Sequence, residues 1–414
     1  MKKKQSYVLL FLVLLTVPAL FSPVVPTVKG SHNPTWWDYD WQQRLEYTVN
    51  SSLVDENLLN FPVLVYIDED LVNWGDIQNN LDDIRFVDNT LNVLDFEIDS
   101  FTLNVDAWFW VSIPEVESTV DTYFFMYFDN KFCDSGENAE AVWDANFVMV
   151  QHMNDETTST ILDSTSNDND GTKLDANEPI ESDGKIGKCQ EFNAANTEYI
   201  TFGDILDIDA TESLTIECWI EPDAVTPIQY VLSKGAADGG NVAGNEGYYM
   251  QIYNSKIKGK VQDVDSKTKH EGNGNIVVNT WYYSVMVIDR VTDILTLYKN
   301  GAIYGLPIDI SGEGDLSTPR SLVLGVYSAN LAYGNYDGKI DESRVTKGVG
   351  ILGIRSIAWV GASYYSQTLE LAYEGYHTGI EYARRGEMVA AALIASFIFI
   401  PLLIITIFAT RRKR

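Results

Sequence analysis

The sequence predicts an all-β protein: two β-sandwich domains followed by one C-terminal transmembrane helix. Three observations predict it. Between Thr35 and Val360, short runs of β-branched and aromatic residues recur, separated by clusters of Asn, Asp, Gly and Pro, with no amphipathic helical period between them. Met388 to Thr410 is an unbroken uncharged run, about 34 Å long as a helix against a hydrocarbon core of about 30 Å. Arg411-Arg412-Lys413-Arg414 follows it directly, and such a basic cluster marks the end that stays in the cytoplasm.

In chain order, Lys2-Lys3-Lys4 and the apolar stretch Tyr7 to Phe21, interrupted by Pro18, Pro23 and Pro26, read as a secretory signal peptide over 1–30. The cut falls between Ser22 and Ser31, and an uncleaved anchor is the alternative. Residues 31–132 form the first sandwich. Its strands are Leu45 to Val49, which alternates, Phe61 to Ile67, Ala107 to Ile113 and Tyr123 to Phe128. A composition shift from Asp129 to Ala141 sets a linker at 133–142. Strands resume at Phe147 to Val150 and continue to the segment around Trp359, giving a second domain at 143–367. From Thr368 to Glu387 the period turns helical, with Leu369, Ala372, Tyr373, Tyr376, Ile380 and Ala383 near one face. This is the expected stalk, 368–387, leading to the span at 388–410 and a cytoplasmic tail at 411–414. The domains before Met388 are thereby expected outside the cell.

Lys plus Arg is 29 and Asp plus Glu is 59, so the formal charge is −30. Such a surface repels nucleic-acid phosphate, and no local basic stripe is visible in the sequence, so nucleic acid is not an expected partner. Cys133, Cys189 and Cys218 include no C-x-x-C pair, and His32, His152, His270 and His377 are scattered, which argues against structural zinc. Cys189 and Cys218 are the candidate disulfide if their strands are neighbours; the alternative is three buried thiols. Asn50-Ser51-Ser52 is an acceptor sequon, so Asn50 is the candidate glycosylation site.

Several patterns after the linker occur together in a recognisable order. Asp163 to Thr172 looks like the early Asn/Gly loop of a known family, Gly187 to Asn193 followed by Tyr199-Ile200 like its first core strand and turn, and Leu214 to Pro222 like its central strand. Thr280 to Val285 and Leu297 to Gly301 look like the hairpin that follows, and Gly338 to Val345 like the closing strand. Over roughly Trp143 to Gln367 the ordered set resembles the laminin-G-like, concanavalin-A-like jelly roll of surface proteins. Before the linker, Trp41 to Arg44, Asn60 to Val65, Asp83 to Phe86 and Phe96 to Asp99 are similar to an uncharacterised β-sandwich module that precedes such jelly rolls in archaeal and bacterial surface proteins. That second resemblance implies no activity. The residues agree independently. Leu214, Ile216, Cys218 and Ile220 alternate with Thr215, Glu217 and Trp219, so one strand face is wholly apolar and packs on a second sheet. Asn300-Gly301 supplies the two positive-φ positions of a tight hairpin turn.

Jelly-roll relatives include glucanases, whose retaining members carry a Glu-x-Asp-x-x-Glu strand with both carboxylates on one face. Glu97-Ile98-Asp99 begins that pattern, but Thr102 ends it, and it lies in the first domain. No catalytic residue is therefore assigned. Ser166 to Asn177 fails as an EF-hand at its first and twelfth positions. The resemblance still implies a possible calcium site between early loops and the closing strand, with Asp341 first and Asp163 and Asn193 as weaker ligands; the alternative is that Asp341 bonds to backbone or to Arg344. Gly239 to Gly244 lacks the Lys-Ser/Thr of a phosphate loop. The cluster from Trp36 to Trp41 reads as a segment capping the first sandwich. Tyr230, Tyr248, Tyr249 and Tyr253 lie near the long Gly235 to Gly247 loop, and such loops at a sandwich rim carry binding. These four are the candidate ligand contacts.

The expectation is a non-catalytic recognition protein of the cell membrane that binds glycan or another surface protein, with calcium as the candidate cofactor. A structural envelope-assembly role is the second reading, and an unusual glycoside hydrolase the third.

Overall fold

The computed structural model describes residues 35–158, 160–173, 178–235, 245–265, 267–374 and 381–382. The signal peptide, the transmembrane run and the basic tail lie outside the described residues. Among the described residues no helix is long and apolar enough to cross a membrane.

The fold is all-β, as expected, and both modules are sandwiches. In the first, strand Gln43–Val49 pairs with Thr122–Phe128, which continues to Arg85–Asp88 and Val93–Leu94. A three-stranded sheet packs against it, with Asp106–Val116 between Leu58–Asp68 and Phe96–Thr102. The two sheets enclose Phe61, Val63, Val65, Phe86, Phe96, Phe109 and Phe124, all buried. Trp41 is buried against Val87, Phe125 and Tyr127, so the tryptophan-rich segment caps this sandwich as the sequence suggested.

The second module is a nine-stranded sheet facing a seven-stranded one. At the centre of the larger sheet, strand Glu212–Pro222 lies between Gly338–Val349 and Tyr282–Asp289. Leu214, Ile216, Cys218 and Ile220 face the core between the sheets, as their alternation predicted. Asn300 and Gly301 have φ of 52° and 77°, and they join Ile294–Lys299 to Ala302–Ile303 in the expected hairpin.

Three expectations need correction. Residues 372–374, read as part of a helical stalk, form a strand, and Glu381–Tyr382 form another; both pair with Gln43–Val49 and complete the first module's sheet. Within the expected linker, Asn138 donates its N–H to the carbonyl of Phe96, and a short helix Ala139–Val142 follows, so this segment is docked on the first module. Ile357–Gln367, whose first residues fall in the segment around Trp359 expected as strand, is an α-helix capped by Ser356, whose Oγ accepts the N–H of Trp359 at 3.1 Å.

That helix and the turn Gly350–Gly353 before it explain why the polar face of Glu212–Pro222 is also buried. Trp219 donates from Nε1 to Gln367 Oε1 at 2.7 Å, and Thr215 Oγ1 donates to the carbonyl of Gly353 at 2.9 Å. On the helix's other side Trp359 packs edge-on to Phe61 with centroids 4.8 Å apart, and Ser366 Oγ accepts the N–H of Leu64 at 2.8 Å. One apolar core therefore runs from the first sandwich through Trp143, Phe147, Ile186, Ala358 and Trp359 into the second module.

Candidate functional site

The expected tyrosines sit on the seven-stranded sheet. Alternation along Gly247–Tyr253 sends Tyr248, Met250 and Ile252 into the core and leaves Tyr249, Gln251 and Tyr253 on the outer face. Tyr248 is thus withdrawn as a ligand contact: it is fully buried, and its hydroxyl donates to the carbonyl of Leu206 at 2.8 Å. Burial pushes its hydroxyl pKa up. Tyr230 lies opposite Gln251 in register. It stacks on Tyr327 at 4.5 Å and meets Tyr249 edge-on at 5.0 Å. Tyr333 extends this cluster at 6.4 Å from Tyr230.

The interior of the cluster is closed to solvent, and its margin is open. Tyr230 and Tyr249 are each 1% exposed, whereas Tyr253 is 39% and Tyr333 47% exposed. Two features of this face were not read from the sequence. Lys256, Lys258 and Lys260 alternate along strand Lys256–Gln262. Lys258 Nζ stands 4.3 Å from the Tyr253 ring centroid, and Lys260 Nζ 5.4 Å from that of Tyr249. This local cationic row within a strongly acidic chain is visible only once period two is applied to a strand. In addition, the buried amide oxygens of Gln251 and Gln262 have no hydrogen-bond partner. The exposed Tyr253 and Tyr333 rings and the Lys258 ammonium are groups suited to a hydroxyl-rich ligand: rings cover sugar C–H faces, while ammonium groups bind hydroxyls or carboxylates.

Each of the three expected calcium ligands is engaged within the protein: Asp163 and Asn193 close their own turns, and Asp341 holds a turn of a distant segment. Asp163 accepts the N–H groups of Val150, Thr165 and Asn169 and the Thr165 hydroxyl. Asn193 caps a short turn through the N–H of Ala195. Asp341 Oδ2 accepts the N–H groups of Lys185 and Ile186 at 2.7 and 2.9 Å, the backbone alternative raised for it. The disulfide is also corrected. Cys189 and Cys218 are free thiols. Their strands are separated by Gly338–Val349, about 10 Å at two strand spacings, too far for a disulfide. Asn50 is partly buried, and its Oδ1 accepts from the N–H and hydroxyl of Ser52.

The most concentrated polar chemistry lies where the modules meet. His152 Nδ1 is 2.9 Å from Glu342 Oε1 and 3.2 Å from Asp99 Oδ2, and its Nε2 is 3.2 Å from Glu97 Oε2. All four residues are buried. Trp110 Nε1 donates to Asp99 at 3.0 Å, and Trp143 Nε1 donates to Glu97 at 2.8 Å. Arg344 pairs with Glu342 and stacks over Trp110, its guanidinium carbon 4.0 Å from the ring centroid. Two bulges aim these carboxylates. Register shifts between Ile98 and Ser100, and again where Glu217 and Trp219 face Gly338–Val349; Glu342 there has φ of 49°. Burial lowers the His152 pKa, but Glu342, Glu97 and Asp99 outweigh it and hold the imidazole well above its ordinary value. Burial and the neighbouring Glu342 push Asp341 well above the usual carboxylate range. Sequence reasoning noticed Glu97 and Asp99 only as a failed glucanase pattern and set His152 aside as scattered. Nothing local in the sequence joins residues drawn from three distant segments.

Residues 194–349 match the family model of the concanavalin A-like lectin/glucanases superfamily, of the laminin-G type, so this part of the chain is a concanavalin-A-like jelly roll. Residues 80–169 match the domain of unknown function DUF2341. The order of the two agrees with the resemblances read from the sequence. Among curated proteins no sequence matches the chain. Several solved structures are similar to part of the chain. The binding domain of Paraclostridial Mosquitocidal Protein 1 is 14% identical with a TM-score of 0.43, over 53% of this chain and 52% of that one. Domain 4 of AbnA, an extracellular GH43 arabinanase from Geobacillus stearothermophilus solved with arabinotriose, is 20% identical with a TM-score of 0.37, over 52% of this chain and 97% of that domain. The ligand binding domain of botulinum neurotoxin serotype D, solved with N-acetylneuraminic acid, is 14% identical with a TM-score of 0.39, over 56% of this chain and 53% of that one. The match thus spans about half the length of both toxin domains.

Proposed function

We propose that this protein is a non-catalytic surface recognition protein whose jelly roll binds glycan at the outer face of its seven-stranded sheet. The observation that carries the reading is the open margin of the outer face, where Tyr253 under Lys258 and Tyr333 beside Tyr230 present exposed rings. Tyr230 and Tyr249 act as the rigid floor beneath them. The reading keeps the membrane anchor at Met388 to Thr410, the exported signal sequence and the cytoplasmic basic tail expected from the sequence. A fragment from Ser31 to Glu387 retains every described strand and is suited to a glycan-array screen. Saturable binding to one sugar class, weakened by Tyr253→Ala, supports the proposal; turnover of a polysaccharide overturns the non-catalytic reading. Running the screen with and without a calcium chelator tests the expected calcium assistance.

A second reading, packing against neighbouring surface proteins, is favoured by a separate observation. Leu59, Val349, Ile351, Leu352 and Ile357 are exposed apolar side chains. Four of these five residues, all but Leu59, fall within the short segment 349–357. Self-association of the fragment without sugar binding supports this reading instead.

A further inference from the structure

We propose that Asp99, His152 and Glu342 form a binding site for a divalent first-row transition ion that clamps the first module to the jelly roll. One ligand atom from each lies within 4.8 Å of the others, and His152 Nδ1 faces Asp99 Oδ2 and Glu342 Oε1. The two nitrogen–oxygen separations are 3.2 and 2.9 Å, close to the edge of about 3.4 Å of a tetrahedron with bonds of about 2.1 Å. Small shifts of these side chains would therefore admit an ion. One imidazole and two carboxylates suit zinc and its neighbours, whereas calcium takes six or more oxygens.

The surroundings are those of a metal-supporting shell. His152 is 95% buried, and its Nε2 faces Glu97 without the alignment of a hydrogen bond. With its proton on Nε2, the side on which Glu97 lies, the imidazole keeps the Nδ1 lone pair for an ion. Glu97 is itself fixed by Trp143 Nε1 and by the Ser164 hydroxyl at 2.5 Å. Trp110 orients Asp99, and Arg344 takes the second oxygen of Glu342. Asp341 Oδ1, on the residue next to Glu342, is a second fully buried polar atom without a partner.

Charge points the same way. Three buried carboxylates, of Glu97, Asp99 and Glu342, face one guanidinium and one imidazole. A proton on the imidazole leaves one negative charge in excess, while a divalent ion on neutral imidazole leaves none. Counting Glu217, which faces Arg344 across the strand pair, adds one negative charge to both totals. Asn154 Nδ2 donates to the carbonyl of Asp99 at 2.6 Å, and Asn154 lines a neighbouring cleft of about 450 Å³ between the modules together with Ser100, Trp108 and Lys188.

The test uses the untagged full-length chain in detergent, stripped with a chelator, dialysed against zinc and passed over a desalting column. The expected result is one zinc per chain by elemental analysis, with a melting midpoint raised by zinc and lowered again by chelator. Asp99→Asn and Glu342→Gln lose the ion, and Asp341→Asn retains it. X-ray absorption on the wild-type protein provides a readout independent of whether the variants fold: one imidazole nitrogen with oxygen neighbours supports the site. Retention of less than about a tenth of an equivalent, or a coordination shell containing sulfur or lacking imidazole, overturns the proposal.

Discussion

Replacing Asp155 by Asn should stabilise the protein, and only above a defined pH. Asp155 is mostly buried, and its Oδ1 accepts one N–H, from Leu162 at 3.2 Å. Burial pushes its carboxyl up from the ordinary 3.8 to about 6, against the lowering effects of that hydrogen bond, Lys173 and His152. The folded state therefore holds a proton that the unfolded chain has released between pH 3.8 and about 6, and native stability falls as pH rises through that window. The gap corresponds to at most about 3 kcal/mol; solvent contact over part of the side chain reduces it to about 1–2 kcal/mol. Asparagine keeps the acceptor oxygen and never ionises. Urea unfolding of the Ser31 to Glu387 fragment, with chelator present, should show equal stability for variant and wild type at pH 4. At pH 7.5 the variant should gain about 1–2 kcal/mol. A pH-independent difference, or a variant weaker at pH 7.5, would refute the reasoning.

Further outcomes follow from the same contacts. Trp359→Ala empties the contact between Phe61 and the interdomain helix and should cost about 3–5 kcal/mol; calorimetry should show the single transition of a shared core splitting in two. Ser356→Ala removes the helix cap and should cost about 1 kcal/mol in urea unfolding. Tyr333→Ala, at an exposed ring, should leave the melting midpoint within about 1 °C, since surface changes of this kind fall within about 0.5 kcal/mol, while glycan affinity falls about tenfold, as at an interface hot spot.

Legibility in the sequence followed burial. Where one strand face is buried and the other has a different environment, as in Leu214 to Ile220, alternation placed each side chain correctly. The Asn300-Gly301 turn was equally plain, because its backbone demands those residue types. Ile357–Gln367 was misread because both its sides are covered, by Phe61 and by Trp219, and a helix buried all round loses its amphipathic period. The stalk was misread for the opposite reason: Ala372–Glu374 is a short strand completing a sheet that begins over three hundred residues earlier, and no local pattern records its partner. Tyr248 and Tyr249 are neighbours in sequence with opposite fates, decided by the register of Gly247–Tyr253 against Lys256–Gln262. The His152 cluster depends on three segments meeting and on two bulges, which composition does not announce.

The glycan array on the Ser31 to Glu387 fragment, repeated with Tyr253→Ala and Tyr333→Ala, addresses the recognition face most directly. The account predicts saturable binding to a single sugar class that both substitutions weaken without unfolding the protein. Binding that survives both substitutions unchanged, or no sugar bound at any concentration, would contradict it.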